Sequence, residues 1–284
     1  MEKKTKEKDQ EDYQVDLQKK SDEVEGTQKY DDILSNVIHE GEELFKVNNT
    51  AMLLSGIIAG LEIGVSYLLV CVVYFLFIGD VDTQLVFKMF SIVYPIGFIL
   101  VVLGKSALFT EQTSVLTLPV LNGQRSFLEL LRVWSLVITG NVIGGILFAL
   151  FIGILGPELK LFDTNTMVAV GEHVIDYKWW VLLLSAVTAG WLMGLLTWLI
   201  NSTKGSVSKI LLIFMITAVI GFGGFHHSIV GNIEVFGALI YSDSLLFTDY
   251  LWFLFLALAG NGIGGAIVVA LFKYRIFESH HLSE

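Results

Sequence analysis

Apolar residues run almost unbroken through six segments, near 50–78, 85–121, 133–155, 179–200, 207–241 and 250–272, with short polar joints between them. A helix that crosses a bilayer needs about 20 apolar residues in succession, so the pattern predicts six membrane spans. The second and fifth segments are too long for plain spans. Polar residues interrupt each of them, "GKSALFTEQTS" at 104–114 and "GFHHSIVGN" at 224–232, which predicts two broken helices. Ahead of the first span, Ile33, Leu34, Val37, Ile38, Leu44 and Phe45 recur at helical spacing and predict a short amphipathic helix over 31–47 on the membrane surface. The adjacent Trp179 and Trp180 read as an interfacial anchor at the head of the fourth span.

The segments also repeat. "LLSGIIAGLEIG" (53–64) aligns with "LLSAVTAGWLMG" (183–194) at an offset of 130, and "TGNVIGGILFALF" (139–151) aligns with "AGNGIGGAIVVALF" (259–272) at an offset of 120. Spans one and four therefore correspond, as do three and six, which puts the interrupted spans two and five at matching places. Three is an odd number, so the two halves enter the membrane from opposite sides as an inverted repeat. The expected fold is an all-α membrane protein, six spans in an inverted 3+3 arrangement with spans two and five broken.

Composition agrees with a protein whose surroundings are the lipid bilayer: of 284 residues, 54% are hydrophobic and only 16% charged. Residues 1–48 hold 14 acidic residues against 8 lysines, about 6 of the formal net charge of −10. The chain thus divides into an acidic tail (1–48), largely disordered apart from the helix at 31–47, a six-span body (49–275) and a short tail (276–284). Seven basic residues flank the spans on one side (Lys46, Arg125, Arg132, Lys204, Lys209, Lys273, Arg275) and three on the other (Lys88, Lys160, Lys178), which places both termini in the cytoplasm. The single cysteine, Cys71, excludes a disulfide framework and a Cys-based zinc site. No GxSxG, HExxH or P-loop occurs, so no enzyme is expected, nor any cofactor or nucleic-acid partner.

Irregular backbone at membrane depth is tolerated only where it lines a cavity or is buried in protein, and helix ends exposed there favour an anion through their free N–H groups. Matched breaks therefore point to a channel or transporter. Ionisable residues inside spans are functional candidates by default; here they are Glu62, Lys105, Glu111, His226, His227 and Glu234. The alternative they leave open is a metal-cation transporter with a His/carboxylate site, although the HxxxH or ExxxH spacing that would aim two ligands together is absent.

"SALFTEQT" in span two, "GFHHSIVGN" in span five, and the "TGN" and "AGN" of spans three and six together resemble the formate/nitrite transporter family over about residues 45–275. The resemblance implies an aquaporin-like protomer in a homopentamer of a prokaryotic plasma membrane, each protomer with its own pore for small monovalent anions. Carried over by position, His227 is the central pore histidine, Thr110 its hydroxyl neighbour and Asn141 a polar partner; Leu108, Phe109, Phe98 and Ile220 form apolar constrictions. A histidine there is expected to supply or share a proton, so that the anion crosses as a neutral acid and avoids the cost of desolvating a charge. The chain departs from the family pattern at Lys105, Ala107, Glu111, His226 and Val230-Gly231-Asn232, as in a divergent, YfdC-like branch. Lys105 paired with Glu62 or Glu111 is one reading of those departures, and a proton relay through Glu62, Glu111, His226 or Glu234 another.

Overall fold

The computed structural model describes residues 30–281. The acidic segment before Tyr30, read from composition as solvated chain, lies outside the described residues, as do the last three positions. Twelve α-helices and one π-helical stretch make up the described chain: α1 (Tyr30–Lys46), α2 (Asn49–Phe77), α3 (Thr83–Val93), α4 (Pro95–Gly104), α5 (Phe109–Leu121), α6 (Phe127–Glu158), α7 (Thr164–Ile175), α8 (Trp179–Asn201), α9 (Ser206–Gly223), α10 (Ser228–Tyr241), α11 (Phe247–Ile263), π-helical Gly264–Leu271 and α12 (Phe272–His281). Among the described residues, six helical segments are long and apolar enough to cross a membrane. Span one is α2, span three α6 and span four α8. Span two is made of α3, α4 and α5, span five of α9 and α10, and span six of α11 with the π-helical stretch.

Close packing between spans follows from the small residues of the repeat. A Cβ on Gly60 of α2 would collide with the Asn141 carbonyl of α6, and one on Gly190 of α8 with the Asn261 carbonyl of α11. Gly60 and Gly190 are repeat equivalents, so both halves bring backbone against backbone at the same point. In span two, Pro95 has no N–H to donate and interrupts the helix. Ser66 of α2 ties the joint together: its hydroxyl donates to the Tyr94 carbonyl at 2.6 Å and accepts from Gly97 N at 2.9 Å.

The amphipathic pattern over 31–47 gives α1, and what it faces is protein. Ile33, Leu34 and Val37 bury against Val115 and Leu118 of α5, Trp198 of α8 and Ala270. Gly41 sits so close to α5 that a Cβ there would meet the Val115 carbonyl. Arg125 holds the helix in place through a two-pronged bond to Glu42, 2.9 Å on each prong, and the Tyr30 ring lies tilted against Trp198, their centroids 4.9 Å apart. An apolar stripe reads the same from sequence whether it meets lipid or protein; here it is seated on protein, across the ends of spans two, four and six. The aromatic pair Trp179 and Trp180 stands 58% and 49% exposed at the head of α8.

Candidate functional site

Span two is interrupted at 105–108 and span five at 224–227, and both interruptions have the same construction. Each preceding helix ends in a Schellman turn with one residue in the left-handed region, Lys105 at φ 62 and Gly224 at φ 66. Ser106 N returns to the Val101 carbonyl at 3.1 Å, and Phe225 N to the Ile220 carbonyl at 3.0 Å. An asparagine from the third span of each half then clamps the connector. Asn141 Oδ1 accepts from Phe109 N at 2.9 Å, while its Nδ2 donates to the Ala107 and Gly56 carbonyls at 2.7 and 2.9 Å. Asn261 Oδ1 accepts from Ser228 N at 2.7 Å, while its Nδ2 donates to the His226 and Ala186 carbonyls at 3.0 and 2.7 Å. The serines of the repeat, Ser55 and Ser185, accept from Ala107 N at 2.9 Å and His226 N at 3.1 Å. Backbone groups far from water are thereby satisfied inside the protein.

After the connectors, the N-termini of α5 and α10 begin at equivalent positions, one capped by Leu108 and the other by His227. Leu108 brings no side-chain cap. His227 Nδ1 accepts from Val230 N at 3.3 Å, and its Nε2 lies 2.6 Å from Thr110 Oγ1. An acceptor at Nδ1 assigns the ring proton to Nε2 in the neutral imidazole, so His227 donates to Thr110 and the Thr110 hydroxyl proton is left to point elsewhere. Phe98 meets the imidazole edge-on at 4.9 Å. Phe98, Leu108 and Ile220 are fully buried beside the pair.

A cavity of about 280 Å³ leads from the side of the bundle opposite α1 to His227. Lys88, Tyr94, His173, His226, Ile220 and Glu234 contribute to its wall. Lys88 Nζ donates to the Phe222 carbonyl at the end of α9, at 2.8 Å, and His173 stacks on Phe87 at 3.6 Å. Burial first, and then the positive charge of Lys88, push His173 below the ordinary histidine range, against a smaller opposite pull from Asp176.

The other expected residues are sorted by their contacts. Asn141 is within the clamp, all three of its bonds going to backbone, and the partner of His227 is Thr110. Phe109 is buried and packs its ring edge-on against Trp134 of α6 at 5.5 Å, between spans three and six. Lys105 is 74% exposed on its side chain and meets Glu40 of α1 at 3.8 Å, in place of the Glu62 or Glu111 expected; its left-handed conformation ends α4 and leaves the side chain outside. Glu62 keeps Oε2 buried without a partner, and Glu111 occupies the first turn of α5. His226 places Nε2 at 2.8 Å from the Val174 carbonyl and Nδ1 at 2.7 Å from Ser185 Oγ. A carbonyl only accepts, so Nε2 carries the proton and Ser185 donates to Nδ1. Among the described residues, no group of three His, Cys, Asp or Glu side chains is arranged to hold a metal ion.

Sequence reasoning missed His173 as part of the cavity wall, and took Lys88 only as a topology marker. Neither carries a local signal, since α3 of span two and α7 bring them to the cavity from distant parts of the chain. Asn261, Ser55 and Ser185 lay within the repeated segments, where matching polar residues in apolar helices was the signal.

The formate/nitrite transporter family model matches residues 31–275. The inner membrane protein YfdC of Escherichia coli (strain K12) is 29% identical over 251 residues, covering 85% of this chain and 77% of that protein. The uncharacterized transporter YrhG of Bacillus subtilis (strain 168) is 31% identical over 256 residues, covering 87% and 92%. Among solved structures, an FNT family ion channel superposes with a TM-score of 0.79 at 22% identity, covering 86% of this chain and 98% of the other. A pentameric formate channel with formate bound superposes with a TM-score of 0.70 at 21% identity, covering 81% and 97%. The fold is therefore the aquaporin-like one of these channels. With a family model spanning nearly the whole described chain, a fold shared with two channels, and relatives that include a YfdC-like branch, the chain belongs to the formate/nitrite transporter family.

Proposed function

We propose that this protein conducts small monovalent anions of weak acids, formate or nitrite among them, along a path past His227, and that a proton crosses with the anion. The observation that carries the reading is the His227–Thr110 bond at 2.6 Å, set where two half-helix N-termini meet under buried Phe98, Leu108 and Ile220. Helix N-termini favour negative charge. The apolar wall opposes a bare ion, whose desolvation costs several kcal/mol. Both demands are met when the anion is drawn in and then passes the pair as its neutral acid, accepting a hydrogen bond from the Thr110 hydroxyl.

The protein acts in this reading as a conductor and not as an enzyme, in the plasma membrane of a prokaryotic cell, with both termini in the cytoplasm. It assembles as a homopentamer in which every protomer keeps its own pore, by analogy with the pentameric formate channel it superposes on. Residues 1–48 and 276–284 form cytoplasmic tails on a six-span body. Formate uptake into vesicles holding the purified protein tests the reading. His227→Phe is expected to abolish the uptake above that of empty vesicles, and full uptake by the variant would overturn it.

A further inference from the structure

If a proton crosses with the anion, it needs a source, and the His227–Thr110 pair is poorly built to be one. His227 Nδ1 accepts from Val230 N, so the ring cannot take a second proton there without breaking the cap of α10. Without that second proton, giving up the one on Nε2 would leave an imidazolate. His226 has both ring nitrogens engaged by Ser185 and Val174, and Lys88 donates to the Phe222 carbonyl.

Glu234 differs from all of these. It is 8% exposed, lines the same cavity as His227, and its carboxyl makes no hydrogen bond and no ion pair among the described residues. It lies seven residues beyond His227, with Gly231 between them also on the cavity wall. Steps of four and three keep these positions on one face of α10, and at about 1.5 Å per residue the carboxyl stands roughly 10 Å nearer the open mouth. The groups around it are Lys88 of α3, Tyr94 at the α3–α4 joint, and His173 of α7, all on the cavity wall with Tyr177 and His226. Tyr67 and Cys71 of α2, both fully buried, are close enough to interact with its carboxyl. Lys88 is the one cation among these groups, and its ammonium is engaged elsewhere.

We propose that Glu234 is the proton donor of this cavity, protonating the incoming anion before it reaches His227 and Thr110. The O–H bond of the Glu234 carboxyl breaks, an O–H bond forms on an oxygen of the anion, and the neutral acid moves on. The carboxylate left behind takes a proton from water at the cavity mouth. The proposal rests on the reading that anion and proton cross together, and it adds the residue that joins them.

The test uses the full chain in vesicles with formate as probe, measuring uptake and proton movement across a range of pH. Glu234→Gln keeps the shape and removes the exchangeable proton. It is expected to lower uptake about tenfold or more near neutral pH, the scale of lost general-acid assistance, and to recover as the solution is acidified and supplies formic acid itself. Glu234→Asp is expected to retain most of the uptake with a displaced pH profile, whereas His227→Phe should lose it at every pH. A Glu234→Gln protein with the wild-type pH profile would overturn the proposal alone. Wild-type uptake of formate with no accompanying proton would overturn the reading beneath it, and this proposal with it.

Discussion

The two connectors, 105–108 and 224–227, share a Schellman turn, an asparagine clamp and a serine acceptor, yet one ends on Leu108 and the other on His227. The turn, the clamp and the serine acceptor are duplicated; the residue that ends each connector is not. The scaffold is therefore set by the repeat, and the chemistry by how the halves differ. Magnitudes explain why the first connector keeps a leucine. A serine at 108 would add a cap worth about 1 kcal/mol and would forfeit a fully buried leucine side chain, about 2–5 kcal/mol. Apolar filling wins there, and the polar partner is supplied two residues later by Thr110.

The largest effect should come from breaking what the connectors share. Asn141→Leu and Asn261→Leu each leave an N–H and two carbonyls unpaired in the interior. At about 1–3 kcal/mol for each unsatisfied group, either change is expected to cost several kcal/mol. Thermal unfolding in detergent should show two comparable losses, and a large loss for one alone would mean that the halves are not equivalently clamped.

Next in size is the point of difference. Thr110→Val preserves shape and removes the hydroxyl that His227 meets, so it should leave the folded protein in place while lowering formate uptake in vesicles at least tenfold, as for loss of a positioned polar group at a reacting centre. The third test concerns the left-handed residue. Gly224→Ala forces a side chain into that conformation and should destabilise by about 1 kcal/mol. Lys105→Gly should stabilise by about the same amount, because the ion pair it gives up with Glu40 is exposed and worth little. Denaturation midpoints should move in opposite directions.

The smallest effect belongs to the cavity mouth. His173 is held below its ordinary range, so the folded state binds fewer protons than the unfolded one as solution pH falls through the histidine range. Stability contributed by neutral His173 is present above the unfolded value and declines on acidification. His173→Gln should flatten that part of a melting-temperature profile, and an unchanged slope would show that its burial does not matter to stability.

Much of this was legible in the chain itself. Six apolar runs gave the spans, and the repeated LLS and GN segments contain the serines and asparagines that clamp the connectors, although the sequence reading singled out only Asn141. Thr110 and His227 were found through the motifs that contain them. What stayed hidden depends on contacts between distant segments. The periodicity of α1 cannot say whether lipid or α5 covers its stripe. The sequence places a phenylalanine beside Thr110 but cannot say that its ring meets Trp134 of the next span. Lys105, expected to pair with Glu62 or Glu111, is the αL residue that ends α4 and meets Glu40 of α1 instead.

The central claim is that the His227–Thr110 pair is where anion and proton pass together. It is tested most directly by formate-driven acidification inside vesicles holding the wild-type protein or His227→Phe, read against empty vesicles that report leakage of formic acid through lipid. The account predicts rapid internal acidification with the wild type and only the lipid background with the variant. Equal acidification by both proteins would contradict it.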